Sequence, residues 1–190
     1  MKIALFFGSF NPVHIGHLAI ANYIVEYAYI DQLWFVLSPL NPLKSKATLL
    51  PDYQRLEILN RATEDFPKFK VSTIEFNLPK PSYTIDTLTY LKEKHPENEF
   101  SLVMGADNLA TINKWKNYEI LLSDFKLLVY PRPDVGRNDF FDHKNIVHID
   151  APLMEVSSSF IRNAIKEGKD IRYFLPPKAF AYIDEMNFYR

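Results

Sequence analysis

Five short apolar runs recur along this chain, at 3–7, 33–37, 100–104, 126–130 and 146–149, a further stretch at 71–76 alternates as a strand would, and most are followed by a segment of helical periodicity. Runs this short and this apolar are the kind buried on both faces of a parallel sheet. Connections long enough to hold a helix supply the crossovers that parallel pairing requires. The expected fold is therefore α/β, a doubly wound parallel sheet in three layers. Right-handed crossovers would bring every loop that follows a strand to one edge of it. With 190 residues there is enough chain for one well-buried domain and too little for two. Residues 1–190 are expected as a single domain, with 157–190 as its C-terminal helical part.

Helix boundaries follow from capping chemistry. Asp52 is placed to cap a helix carrying Leu56, Ile58, Leu59 and Ala62, and Thr84 one carrying Ile85, Leu88 and Leu91. The last helix begins after Pro176-Pro177, with Phe180, Ile183 and Met186 as its apolar stripe. The proline-rich, lysine-bearing stretch 39–46 and the polar stretch 134–145 read as loops, the second long enough to be partly structured.

The first apolar run enters Phe7-Gly8-Ser9-Phe10-Asn11-Pro12-Val13-His14-Ile15-Gly16-His17, and a helical pattern of Leu18, Ile20, Ala21, Ile24 and Val25 follows. Strand, tight turn and helix start together present unpaired N–H groups and the positive end of a helix dipole, a site for phosphate. Neither a dinucleotide-binding glycine fingerprint nor a GxxxxGK[ST] loop occurs. A pair of histidines stands instead. If the helix begins near Val13, His14 and His17 project from its first turn on one side, where both could donate to a polyphosphate. They could equally be capping residues, or the start of a metal site, although no further ligand lies nearby in sequence.

A second anion cradle is suggested by Ser157-Ser158-Ser159-Phe160-Ile161-Arg162, a hydroxyl-rich helix start with an arginine one turn later that can grip phosphate oxygens with its planar fork. Asp107, between a strand and a helix, reads as an N-cap or a site residue, and Trp115, among polar neighbours, as a stacking platform or a cover for the core edge. Lysine and arginine number 22 against 23 acidic residues, a formal charge of −1 that argues against nucleic-acid or acidic-membrane binding. The absence of cysteine excludes thiolate catalysis and thiolate-bound metal. No apolar run approaches a membrane span, so a cytoplasmic location is expected.

The stretch from Gly8 to His17 resembles the GxFxPxHxGH signature of the nucleotidyltransferase superfamily, and Val156 to Arg162 resembles its ISSTxIR signature about 145 residues on. Ser82-Tyr83-Thr84-Ile85-Asp86-Thr87-Leu88, Gly105-Ala106-Asp107 with Trp115, and Tyr173-Phe174-Leu175-Pro176-Pro177 are similar to the bacterial nicotinate mononucleotide adenylyltransferase branch. That resemblance implies a Rossmann-like fold of the HxGH type. It implies adenylyl transfer from ATP to nicotinate mononucleotide in NAD biosynthesis, with Mg²⁺ held mainly by the ATP phosphates and no protein metal site. His14, His17 and Arg162 would act on the phosphates. Gly8, Ser9, Phe10, Gly16, Ser157, Ser158 and Ser159 would complete the ATP site, and Asn41, Lys44, Tyr83, Thr84, Asp107 and Trp115 would hold the mononucleotide. Two departures from the pattern are Asn11, where most bacterial members carry aspartate, and a shortened loop at 39–44.

The implied reaction is in-line attack by an already anionic phosphate, which requires alignment and charge neutralisation rather than a protein nucleophile. The alternatives are a nicotinamide mononucleotide or phosphopantetheine adenylyltransferase, and a non-catalytic nucleotide-sensing module. Oligomeric state stays open, a homo-oligomer included.

Overall fold

Successive residues of the first strand, β1 (Lys2–Gly8), divide between two cores. Ile3 and Leu5 pack on one face of the sheet and Ala4 and Phe6 on the other, as a period of two dictates. The computed structural model describes residues 1–39 and 49–190. Its six strands are β1, β2 (Gln32–Leu37), β3 (Phe69–Ser72), β4 (Glu99–Gly105), β5 (Lys126–Tyr130) and β6 (Ile146–His148). All neighbours are parallel, in the order β3-β2-β1-β4-β5-β6. This is the expected three-layer, Rossmann-like arrangement.

Seven helices occur among the described residues, and four pack on one face of the sheet: α1 (Ile15–Tyr27), α2 (Asp52–Thr63), α6 (Ser158–Lys166) and α7 (Pro177–Glu185). The other face carries α3 (Thr84–Lys94), the short α4 (Ala106–Leu109) and α5 (Tyr118–Asp124). Chain order reverses between β1 and β4, so the connections after these strands leave to opposite faces and open a crevice at their carboxyl ends.

Several boundaries differ from the expected ones for local reasons. Helix α1 starts at Ile15 with His14 as its N-cap, two residues later than Val13, because the turn before it carries Pro12 and an extended His14. Asp52 and Thr84 are first residues of their helices rather than caps; Pro51 and Tyr83 hold the cap positions. The run at 71–76 splits, with β3 ending at Ser72 and Ile74–Asn77 forming a single 3-10 turn. That turn buries Glu75, which a continuing strand would have set at the sheet's edge. The 134–145 stretch is a chain of turns held by Phe141 N–H to Asn138 O and His143 N–H to Phe140 O bonds.

Candidate active site

The turn between β1 and α1 is shaped by one aromatic ring. Phe10 adopts a left-handed backbone (φ 40°) that drives its side chain into the core, 2 % exposed, edge-on to Phe6, Phe35 and His17. A Cβ on Gly8 would lie 2.9 Å from that ring, which accounts for glycine at the strand's end. Phe10 and Gly8 thus serve the site through packing.

His14 and His17 come together as the sequence suggested, with ring centroids 3.8 Å apart and planes 31° from parallel. The His14 N–H donates to His17 Nδ1 at 3.3 Å, so the cap is made by the second histidine. A ring nitrogen that accepts carries no proton, and the His17 proton therefore sits on Nε2, where it is a donor. His14 is 4 % exposed, and its Nδ1 has no hydrogen-bond partner among the described residues. A Cβ on Gly16 would approach that atom to 3.1 Å. Burial, and then the charge of Arg132, push the His14 pKa down to about 4, so the ring is neutral at physiological pH.

The second motif closes directly on this turn. Ser157 caps α6 by accepting from Phe160 N–H at 3.1 Å, the Ser158 hydroxyl donates to Pro12 O at 2.9 Å, and Arg162 Nη1 donates to Asn11 O at 2.8 Å. Arg162 Nη2 donates to the Ser159 hydroxyl at 3.1 Å, and each terminal nitrogen keeps a second N–H. Residues far apart in sequence so form one cleft of about 480 Å³, lined by Ser9, His14, His17, Ser158, Arg132 and Arg162 among others. No carboxylate side chain lines it among the described residues.

Two arginines escaped the sequence reading. Arg132, just beyond β5, lines the cleft and pairs with Asp107, which lies outside the lining (Nε to Oδ1, 3.5 Å). Its only sequence signal is a cation following a strand's carboxyl end. Arg55, on α2, is fully buried. It donates to the carbonyls of Ser9 (2.6 Å), Ser38 (3.0 Å) and Leu50 (2.9 Å) and to Asp52 (2.5 Å). It ties the ends of β1 and β2 to the start of α2, and an arginine at a helix-pattern position gave no hint of this.

The residues expected to hold the mononucleotide lie outside this cleft's lining. Thr84 opens α3 half-buried, Tyr83 is exposed beneath Lys116 (Nζ 4.8 Å from the ring centre), and Trp115 packs half-buried against the core on that face. Asp107 sits in the first turn of α4 with its cap position filled by Gly105. A Cβ on Gly105 would fall 2.3 Å from the Asp107 carboxylate, so glycine makes room for the pair with Arg132. Beneath α3, Glu75 accepts from the Thr87 hydroxyl at 3.0 Å. Burial raises its pKa, opposed by the hydroxyls of Ser38, Thr87 and Ser82. Asn41 and Lys44 lie outside the described residues.

The sequence profile of the cytidylyltransferase-like family matches residues 5–164. A Flavobacterium johnsoniae protein named probable nicotinate-nucleotide adenylyltransferase is 56 % identical over 192 residues, covering 100 % of both chains. The chain belongs to the nicotinate-nucleotide adenylyltransferase family. A Porphyromonas gingivalis member named in the same words is 49 % identical over 177 residues, 93 % of this chain and 90 % of that one. A Plasmodium falciparum nicotinic acid mononucleotide adenylyltransferase, solved in complex with NaAD, has the same fold, with a TM-score of 0.82 at 22 % identity over 99 % of this chain and 97 % of that one. No described helix is long and apolar enough to cross a membrane.

Proposed function

We propose that this chain transfers the adenylyl group of ATP to nicotinate mononucleotide, releasing pyrophosphate and forming nicotinate adenine dinucleotide as a step in NAD biosynthesis. The observation that carries this reading is the closure of the Ser-Ser-Ser-x-x-Arg helix start on the histidine turn, which sets His14, His17, Arg132 and Arg162 around a single cleft at the sheet's switch point. The names of its full-length relatives direct the choice of acceptor.

In this reading the triphosphate lies against the N-terminus of α1, with His17 Nε2–H and Arg162 as donors that strengthen as charge develops on the α-phosphate oxygens. His14, neutral and with its Nδ1 buried, offers its other nitrogen. Ser9 and the Ser157–Ser159 start of α6 add hydroxyl and N–H donors. The mononucleotide phosphate attacks in line, with no covalent intermediate on the protein. Magnesium would enter with ATP and offset the charge of its phosphates. The cleft offers cations, hydroxyls and imidazoles, and no group of three or more His, Cys, Asp or Glu residues among those described could hold a metal, so the fit is to an ion carried in by the nucleotide.

For the acceptor, the first N–H groups of α3, at Thr84 and Ile85, have no carbonyl within the helix and suit a carboxylate rather than an amide. Tyr83 and Trp115 would flank the pyridine ring, Asp107 the ribose side, and Asn41 and Lys44 enter from the family pattern alone. The test is pyrophosphate release from ATP and Mg²⁺ with nicotinate mononucleotide, nicotinamide mononucleotide or phosphopantetheine. The acid should be preferred over its amide by about a hundredfold or more in kcat/KM, the scale set by buried polar groups left unpaired. Equal use of the two pyridine nucleotides would remove the nicotinate assignment, and no turnover with any acceptor would leave a sensing module.

A further inference from the structure

The cleft's floor depends on a residue at the far end of the chain. Beyond α7 the backbone hooks back through two left-handed residues, Asn187 (φ 53°) and Tyr189 (φ 67°). Each costs a non-glycine residue about 1 kcal/mol or more, so the hook persists only because its surroundings hold it. Those surroundings are specific. Phe188 is buried edge-on to Tyr182, with its N–H donating to Ile183 O at 3.1 Å. Arg190 pairs with Asp184 and donates to Asn187 Oδ1 at 2.5 Å.

What the hook delivers is one hydroxyl. Tyr189 Oη donates to Asn11 Oδ1 at 2.9 Å across 178 residues of sequence, and the same oxygen accepts from Leu50 N–H at 3.2 Å. Asn11 is 4 % exposed and lines the cleft, and its carbonyl is the acceptor that fixes Arg162 Nη1. Burial drives the tyrosine pKa upward, against the charges of Arg162 and Arg55, so the phenol stays a donor at all working pH values. The path from Tyr189 to Arg162 is continuous: a hydrogen bond to the Asn11 side-chain oxygen, the covalent frame of Asn11, and a hydrogen bond from Arg162 to the Asn11 backbone carbonyl.

We propose that Tyr189 is a positioning residue of the nucleotide cleft: by fixing Asn11 it fixes the carbonyl that aims Arg162, so that the C-terminal hook sets the affinity for the ATP phosphates. This rests on the reading of the cleft as the ATP site. It also gives Asn11 a role, that of a neutral relay between the tail and the arginine.

The test is calorimetric titration of the full-length protein with a non-hydrolysable ATP analogue and Mg²⁺, which needs no acceptor. Tyr189→Phe keeps the ring and removes only the hydroxyl. It should weaken analogue binding about fivefold to tenfold, the size of one lost hydrogen bond, with the melting temperature lowered by no more than about 4 °C. In turnover assays KM for ATP should rise while KM for nicotinate mononucleotide stays within about twofold, a split that a general loss of stability would not produce. In an Asn11→Ala background the same change should add nothing further. Undiminished binding by Tyr189→Phe, or a full additional loss in the Asn11→Ala background, overturns the proposal. A wild-type protein that fails to bind the analogue overturns the ATP reading of the cleft and this inference with it.

Discussion

The two sides of the switch point are built differently. On the α1 face, the histidine turn and the start of α6 are locked together by Ser158 to Pro12 and Arg162 to Asn11 bonds, with buried Arg55 holding the stems behind them. On the α3 face, Tyr83 and Thr84 open α3 while Trp115 follows a separate 3-10 turn, and the two are joined at the surface by Lys116, which pairs with Asp86 at 2.8 Å and lies over the Tyr83 ring. In the proposed reading the first side is a preassembled anion cradle, and the second is a set of platforms whose spacing is held by packing. A triphosphate carries most of its recognition in charge and needs donors fixed in advance, whereas a flat ring can be gripped by surfaces that adjust.

The largest effect expected from breaking this contrast is on stability. Arg55→Leu would remove the buried donor to three part-buried carbonyls and should cost about 3–5 kcal/mol in denaturant unfolding. Exposed Lys116→Met on the α3 face should cost less than about 1 kcal/mol, since surface ion pairs contribute little. Equal losses would erase the distinction.

Next in size, His17→Ala should lower kcat by a factor of about 10² or more, because a donor to developing phosphate charge is lost. The melting temperature should fall by no more than about 4 °C, the scale of one lost cap. Near-normal turnover would reduce His17 to a capping residue. Trp115→Ala should sharpen the comparison from the other side, raising KM for the mononucleotide about tenfold through lost stacking, with KM for ATP within about twofold and the acid still preferred over the amide. A change confined to ATP would place the tryptophan on the wrong side of the crevice.

How much of this could be read from the chain divides along the same line. The parallel sheet, its three layers and the convergence of the two motifs followed from short apolar runs and from residues clustered within single turns, where local chemistry and position coincide. The start of α1, the 3-10 turn at Glu75 and the caps at Pro51 and Tyr83 were misplaced because neighbouring prolines and tertiary burial override propensity there. Arg55, Arg132 and Tyr189 were invisible for a different reason. Each is a single residue whose partners lie on other elements, so nothing in its own neighbourhood marks it.

If the cradle is assembled before any ligand arrives, His14 in the free protein is buried, tilted against His17 and neutral. Its depressed pKa has a thermodynamic consequence. Unfolding returns the ring to an ordinary pKa of about 6.5, so below that pH the unfolded chain binds a proton that the folded one refuses. Stability is lost as pH falls from 6.5 to about 4, by about 3 kcal/mol in all. The direct measurement is an imidazole NMR titration of the nucleotide-free protein, with the His14 signal assigned by its disappearance in His14→Asn. The ring should remain neutral down to about pH 4, as its burial requires. A His14 midpoint near 6.5 would mean that the ring is hydrated in the free protein and that the cradle forms only around its ligand.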